Sequence, residues 1–209
     1  FLNQRHFRFL DACVAAGHSK GISLHYNTNG TLFPERAVRE IFPHFQRVQL
    51  FFSVDGVGER FEYQRFGARW EEVKANIARA RSCPGLQVAA CLSVSSLNIF
   101  YIEEALDFFL AENLPVFFNL VHYPSHFSVR AIPRSVKNRI LPTLRNVDWS
   151  KYKGICLTDF APILDLMDGG DDEAGAASFQ DAIRRHDEYR GQSFAAAFPD
   201  YAGFFEARG

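Results

Sequence analysis

The chain has 209 residues, 47% of them hydrophobic, 15% aromatic and 22% charged. Those proportions exclude a disordered chain, a collagen-like repeat and a highly charged coiled coil. With 23 Lys+Arg against 24 Asp+Glu the formal net charge is −1, so neither nucleic acid nor an anionic membrane is indicated as a partner. The sequence opens on Phe1 and its single methionine is Met167; a processed product, an excised domain or part of a longer protein is expected. No apolar run approaches the roughly 20 residues of a membrane span, and the first residues lack the apolar stretch of a signal peptide. Cys13, Cys83, Cys91 and Cys156 form no CxxC or CxxxCxxC pattern. Reduced thiols in a cytoplasmic protein are the expectation.

In chain order, residues 3–16 read as a helix with Phe7, Leu10, Cys13 and Val14 on one face and Gly17 as its stop. Residues 22–27 are a strand ending in Asn27-Thr28-Asn29-Gly30, and Pro34 opens a helix over 35–42. A strand over 47–54 ends in Ser53-Val54-Asp55-Gly56, a helix covers 70–82, and a third strand covers 86–94. Asn98 reads as the N-cap of a helix over 99–112 whose Ile102, Ala105, Leu106 and Phe109 make one stripe. Residues 115–121 are the fourth strand. Beyond residue 130 the alternation fades into helices over 133–146 and 177–189, a mixed stretch over 149–166 and an acidic loop over 168–173. Strands separated by helices imply right-handed crossovers and a parallel sheet, closed as a barrel or open and doubly wound. The 22 phenylalanines include pairs at core spacing (Phe51 and Phe52, Phe108 and Phe109, Phe117 and Phe118), so core packing is expected of them.

In such sheets the ligand lies beyond the carboxyl ends of the strands. Here those ends carry Asn29, Ser53 with Asp55, Ser93 with Ser95, and Asn119 with His122. These side chains suit a polar organic ligand, although the same residues are also ordinary turn formers and caps. Asp55-Gly56-Val57-Gly58 lacks the third glycine of a dinucleotide loop, and there is no phosphate-binding GxxxxGK[ST] or GxSxG nucleophile motif. His122 and His126 are four apart, a metal-ligand spacing only on a helix, and Pro124 between them favours a loop. The 168–173 cluster lacks EF-hand spacing and reads as a solvated loop. Arg65, Arg69 and Trp70 could meet a carboxylate or an adenine face, or could simply flank a helix entry.

Three stretches carry a resemblance: Tyr26-Asn27-Thr28-Asn29-Gly30-Thr31, Phe52-Ser53-Val54-Asp55-Gly56, and Glu62-Tyr63-Gln64-Arg65-Phe66-Gly67 with Trp70, Val73, Asn76 and Ile77 after it. Together with Leu92–Asn98 and Asp187–Ser193 they resemble the middle and tail of radical S-adenosylmethionine enzymes with a SPASM or twitch extension. The resemblance covers most of residues 20–122 and weakly the tail. It implies an α/β fold, a partial (β/α)6 barrel lacking its first βα units over 1–130, and a mostly helical or irregular extension over 131–209. It also implies S-adenosylmethionine as cofactor, with Ser53 near the ribose and Arg65 (or Arg69) near the carboxylate. Asn29 and Asp55 would line the cavity, and Ser93 and Ser95 would lie near the adenine. The family's [4Fe-4S] cluster, held by a CxxxCxxC loop, and its GGEP-like segment would belong to a longer parent upstream of Phe1. Cys156 alone would not hold an auxiliary cluster.

The function so implied is reductive cleavage of S-adenosylmethionine to a 5′-deoxyadenosyl radical that abstracts a substrate hydrogen, with a peptide or protein side chain as the substrate class common in the group. By itself this chain is expected to be inactive. One alternative is a non-catalytic binding or scaffold protein that keeps half a barrel and has an open edge strand covered by a partner. Another is a barrel lyase with Asp55 and His122 as acid and base.

Overall fold

A computed structural model describes residues 3–201. It contains four strands, β1 (Ser23–Thr28), β2 (Arg47–Ser53), β3 (Leu86–Val94) and β4 (Val116–Leu120), in one all-parallel sheet ordered β1-β2-β3-β4. The register runs from Ser23 opposite Arg47 to Thr28 opposite Phe52, and from Val48 opposite Leu86 to Ser53 opposite Cys91. This is the mixed α/β class expected from the alternation of strand and helix. By contacts the chain divides into two compact units, Phe1–Ser53 with Ala68–Cys91, and Val54–Gly67 with Leu92–Gly209.

In the first unit, α1 (Gln4–Ala15) starts where the Asn3 side chain accepts from the Arg5 N–H, and Gly17 follows at φ 75°. The expected 35–42 helix is instead one wide turn, a π-helical Ala37–Ile41 running into a 3-10 turn at Phe42–His44. Pro43 has no N–H to continue an α-helical ladder, which accounts for the break. Helix α3 (Trp70–Ser82) buries Trp70, Val73, Ile77 and Ala80, the stripe of an amphipathic helix, while β2 buries Val48, Leu50 and Phe52. The β1 loop is held tightly between them. Gly30 lies at φ 74°, and a Cβ there would come within 2.9 Å of both Phe52 Cδ1 and Val73 Cγ1. The Asn76 amide donates to the Gly30 carbonyl at 2.8 Å.

The second unit holds α2 (Gly58–Gln64), which the sequence pattern did not reveal. Its core includes Val54, Leu92, Val94 and the α4 (Ile102–Ala111) stripe of Ile102, Ala105, Leu106 and Phe109. Helices α5 (Arg134–Asn146), α6 (Ala161–Asp168), α7 (Glu173–Arg190) and α8 (Phe194–Ala197) follow. The mixed 149–166 stretch has a definite role. Its Ile155–Thr158 segment runs parallel along β4: Val116 donates to Ile155 O at 2.9 Å, Leu157 to Val116 O at 2.7 Å, and Phe118 to Thr158 Oγ1 at 2.8 Å. The β4 edge is thus covered by the chain itself.

The acidic loop is exposed to solvent, as its composition suggested, and is also pinned to α5 by ion pairs. Lys137 is fully buried on α5 and donates to Asp171 Oδ1 at 2.8 Å and Arg130 O at 3.3 Å. Arg134 donates to Gly169 O at 2.6 Å, and Arg145 pairs with Asp168. The Lys137 hydrogen bond holds the Asp171 carboxyl below its ordinary range. Among the described residues ten phenylalanines are buried; of the pairs expected in the core, Phe52 and Phe109 are buried, whereas Phe51, Phe108, Phe117 and Phe118 are half-buried. Tyr63, Phe179, Phe194, Phe198 and Tyr201 form one edge-on and stacked aromatic cluster from α2, α7, α8 and the turn after it. The aromatic end beyond Tyr201 lies outside the described residues. No helix among the described residues is long and apolar enough to cross a membrane.

A methyl at Gly30 must displace buried Phe52 or Val73 while adopting a left-handed backbone. Gly30→Ala is therefore expected to destabilise by about 2–3 kcal/mol, read as a lower urea midpoint at unchanged slope. An unaltered midpoint would show that the loop is not closely packed there.

Candidate functional site

The β1 and β2 ends of the first unit carry Asn29 and Ser53. Asn29 is exposed, and its Oδ1 accepts from Thr31 N–H at 3.2 Å and Thr31 Oγ1 at 2.9 Å, a side-chain-closed turn. Thr28 Oγ1 accepts from Gly30 N–H at 3.1 Å. Ser53 closes β2 half-buried, opposite Cys91 in register. Arg69 is exposed and lies in this unit at the start of α3.

In the second unit the structure brings together Asp55, Arg65, Ser93 and Ser95. The Asp55 Oδ2 accepts from Arg65 Nη2 at 2.5 Å, and its Oδ1 accepts from the Ser93 backbone N–H at 3.0 Å. The side chains are 13% and 27% exposed, so this is a largely desolvated ion pair completed by a backbone donor. Gln64 Nε2 donates to Asp55 O at 2.8 Å and to Arg60 O at 3.2 Å, fastening α2 to the loop after β2.

Asn98 makes the third set of links. The pattern of polar and apolar residues suggested a helix cap, but a 3-10 turn at Ile99–Tyr101 intervenes before α4, and the Asn98 side chain turns inward. Its Nδ2 donates to Asp55 O at 2.9 Å and Ser93 O at 2.8 Å, while its Oδ1 accepts from Ser95 N–H at 2.9 Å. Asn98 is 2% exposed. The Ser95 hydroxyl is also buried and is spent on the same turn, donating to Asn98 Oδ1 at 3.4 Å and accepting from Leu97 N–H at 3.2 Å. Ser95 is therefore a structural hydroxyl, not a free ligand donor. Asn98 reads in the sequence only as a helix cap and Gln64 has no assigned role, because amides occupy turns and helix surfaces so often that position alone does not reveal a bracing contact.

Among the node's side-chain atoms one is unmet: Arg65 Nε is buried without a hydrogen-bond partner. A second orphan in the same unit is Gln192 Oε1. The segment bearing Gln192 is joined to α2 by Tyr63 OH donating to Asp187 Oδ1 at 2.9 Å and by Arg190 Nη1 donating to Tyr63 O at 3.3 Å. Burial, reinforced by the Asp187 carboxylate, pushes the Tyr63 phenol far above its usual range. Asp187 also accepts from the Phe194 N–H at 2.9 Å, so one carboxylate ties α2, α7 and α8 together.

The acid–base pairing of Asp55 with His122 gains no support, because each Asp55 oxygen is already engaged and His122 is exposed on the loop after β4. His122 and His126 share no helix; His126 lies in a 3-10 turn at Ser125–Phe127. His126 and Phe127 pack edge-on at 4.4 Å between ring centroids, and Phe127 lies 6.1 Å from His186 on α7. Among the described residues no three His, Cys, Asp or Glu side chains gather into a metal-ligating group. All four cysteines are free thiols, and burial raises that of Cys156.

No family model matches the chain, and no curated protein or solved structure matches it significantly.

Two outcomes test this architecture. Asn98→Ala removes the side-chain hydrogen bonds to Asp55 O, Ser93 O, Ser95 N–H and Ser95 Oγ and leaves Gln64 as the partner of Asp55 O; a loss of about 2–3 kcal/mol is expected by urea titration, and a loss under about 0.5 kcal/mol would contradict the arrangement. The histidines provide a pH test. Burial and Arg185 lower the His126 pKa from 6.5, and burial, Arg190, His126 and Arg185 lower that of His186, with Asp187 opposing. The unfolded chain then binds more protons below about pH 6.5, so the stability these rings contribute is present above that pH and is lost as pH falls through the lowered values. Tm should fall between pH 7.5 and 5.5, and a His126→Gln/His186→Gln double variant should flatten that slope.

Proposed function

We propose that this chain forms the S-adenosylmethionine-binding part of a radical S-adenosylmethionine enzyme, its parallel strands belonging to a partial (β/α)6 barrel and residues 131–209 to a twitch-like extension. The observation that carries this reading is the buried, partnerless Arg65 Nε beside the Asp55 ion pair at the carboxyl end of a parallel strand. An arginine placed there, paired with Asp55 through Nη2 and unmet at Nε, offers the donor that the carboxylate of an amino-acid ligand would take up. In this reading Arg65 binds the carboxylate, Asp55 fixes the guanidinium, and Gln64 and Asn98 hold the loops that carry both. The β3 end at Ser93 supplies polar lining within the same unit. The order of these features along a βαβ sheet agrees with the resemblance in the Thr28–Thr31 and Ser53–Gly56 segments.

When bound beside a reduced cluster, S-adenosylmethionine supplies hydrogen-atom abstraction from a substrate. The thiols described here do not fit a [4Fe-4S] cluster, which takes about four thiolate ligands. The proposal therefore assigns cofactor binding to this chain and no cluster chemistry, with a peptide or protein side chain as the substrate class of the parent.

Calorimetric titration with S-adenosylmethionine tests the reading. Saturable binding is expected, and Arg65→Gln should weaken it about 10- to 100-fold through loss of one charged hydrogen bond. Adenosine, which has no carboxylate, should bind both proteins alike. Absence of binding to the unaltered chain at millimolar cofactor would overturn the proposal and favour the scaffold alternative.

A further inference from the structure

Remote in sequence from the Asp55 node, the second unit contains an open cavity of about 580 Å³. Phe118 of β4, Trp149, Cys156, Leu157, Phe160 and Leu164 supply its apolar wall. The wall is prearranged. Trp149 stacks on Phe160 with centroids 4.3 Å apart and planes 23° apart, and Phe118 meets Phe160 edge-on at 5.1 Å. The indole N–H is already satisfied by Leu144 O at 3.3 Å. At the rim Leu157 is 59% exposed, an unusual exposure for a leucine fixed by a backbone bridge to β4.

The charged groups of the lining are unequal. Asp159 accepts from the Ala161 N–H at 3.0 Å and so is committed to the start of α6. Ser150 donates to Asp148, and Thr158 accepts from Phe118 N–H. Lys151 pairs with Asp107 at 2.5 Å, whereas Lys153, which lines the cavity, makes no ion pair among the described residues. Burial disfavours the Cys156 thiolate, so the sulfur is a neutral, polarisable wall.

We propose that this cavity binds an amphipathic monocarboxylate, its apolar body against Phe118, Trp149, Cys156 and Leu157 and its carboxylate paired with Lys153. A cavity of this size with mostly apolar walls and one free cation suits such a molecule and no polyanion. The site uses none of the residues assigned to the cofactor, and the inference stands apart from that assignment.

Decanoate is the probe. Trp149 and Trp70 are the only tryptophans, and Trp70 is buried on α3 in the first unit, so ligand-dependent emission should report Trp149 and vanish in Trp149→Phe. Decanoate should saturate at one equivalent and slow alkylation of Cys156 by N-ethylmaleimide. Decanol should bind about tenfold more weakly, and Lys153→Gln should abolish that difference without affecting folding, since Lys153 is exposed. Leu157→Asp should weaken both ligands. Failure of decanoate to saturate, equal binding of decanoate and decanol to the unaltered chain, or retained binding in Leu157→Asp would each overturn the proposal.

Discussion

A carboxylate at the end of a buried strand must find compensation for the water it loses, and Asp55 meets that constraint from three directions. An arginine just beyond α2 neutralises it, a backbone N–H at the end of β3 donates to it, and its main-chain carbonyl receives the amides of Gln64 and Asn98. Because the partners come from separate loops, satisfying one charge also fixes the relative positions of those loops. Such a network is more than the sum of its pairs, since removal of any member leaves another buried group unpaired. It also leaves Arg65 Nε buried without a hydrogen-bond partner.

The same rule, that a buried polar group must be answered, shapes the C-terminal half. The outward N–H and C=O groups of β4 are answered by Ile155–Thr158, a segment too short and irregular to form a named strand. The Lys137 ammonium is answered by Asp171, which draws the acidic loop down onto α5. The Tyr63 phenol is answered by Asp187, which fastens α7 over α2 and caps the backbone of α8. In each case an element without a strong periodic signature of its own is placed by one polar contact across many residues.

Charge pairing also distinguishes the two surfaces to which ligands are assigned. At the Asp55 node the cation is already half satisfied, so only a group that adds to the existing pair gains from binding. At the Trp149 cavity the cation is free and the walls are mostly apolar and aromatic, so binding draws mainly on burial of apolar surface, with one charge to orient the ligand. The Cys156 thiol fits this division, because its partial burial beside apolar side chains favours the protonated form.

The sequence by itself determined the class of fold. Period-two strands, the 70–82 and 99–112 helices and their apolar stripes followed from local hydrophobic spacing, because Val73, Ile77, Leu106 and Phe109 face the core wherever the helix is laid. It also placed Asn29, Ser53, Asp55 and Ser93 at strand ends, since parallel crossovers leave the loops there. Helix α2 was not legible: seven residues give barely two turns, and its Val57 N-cap position carries no capping side chain. Tertiary structure alone decided that Arg65 meets Asp55, that Asn98 braces two loops, and that Lys137 pins the acidic 168–173 loop through Asp171. Those outcomes depend on contacts between residues 10 to 43 positions apart, where local pattern carries no information and the cost of an unpaired buried charge selects the partner.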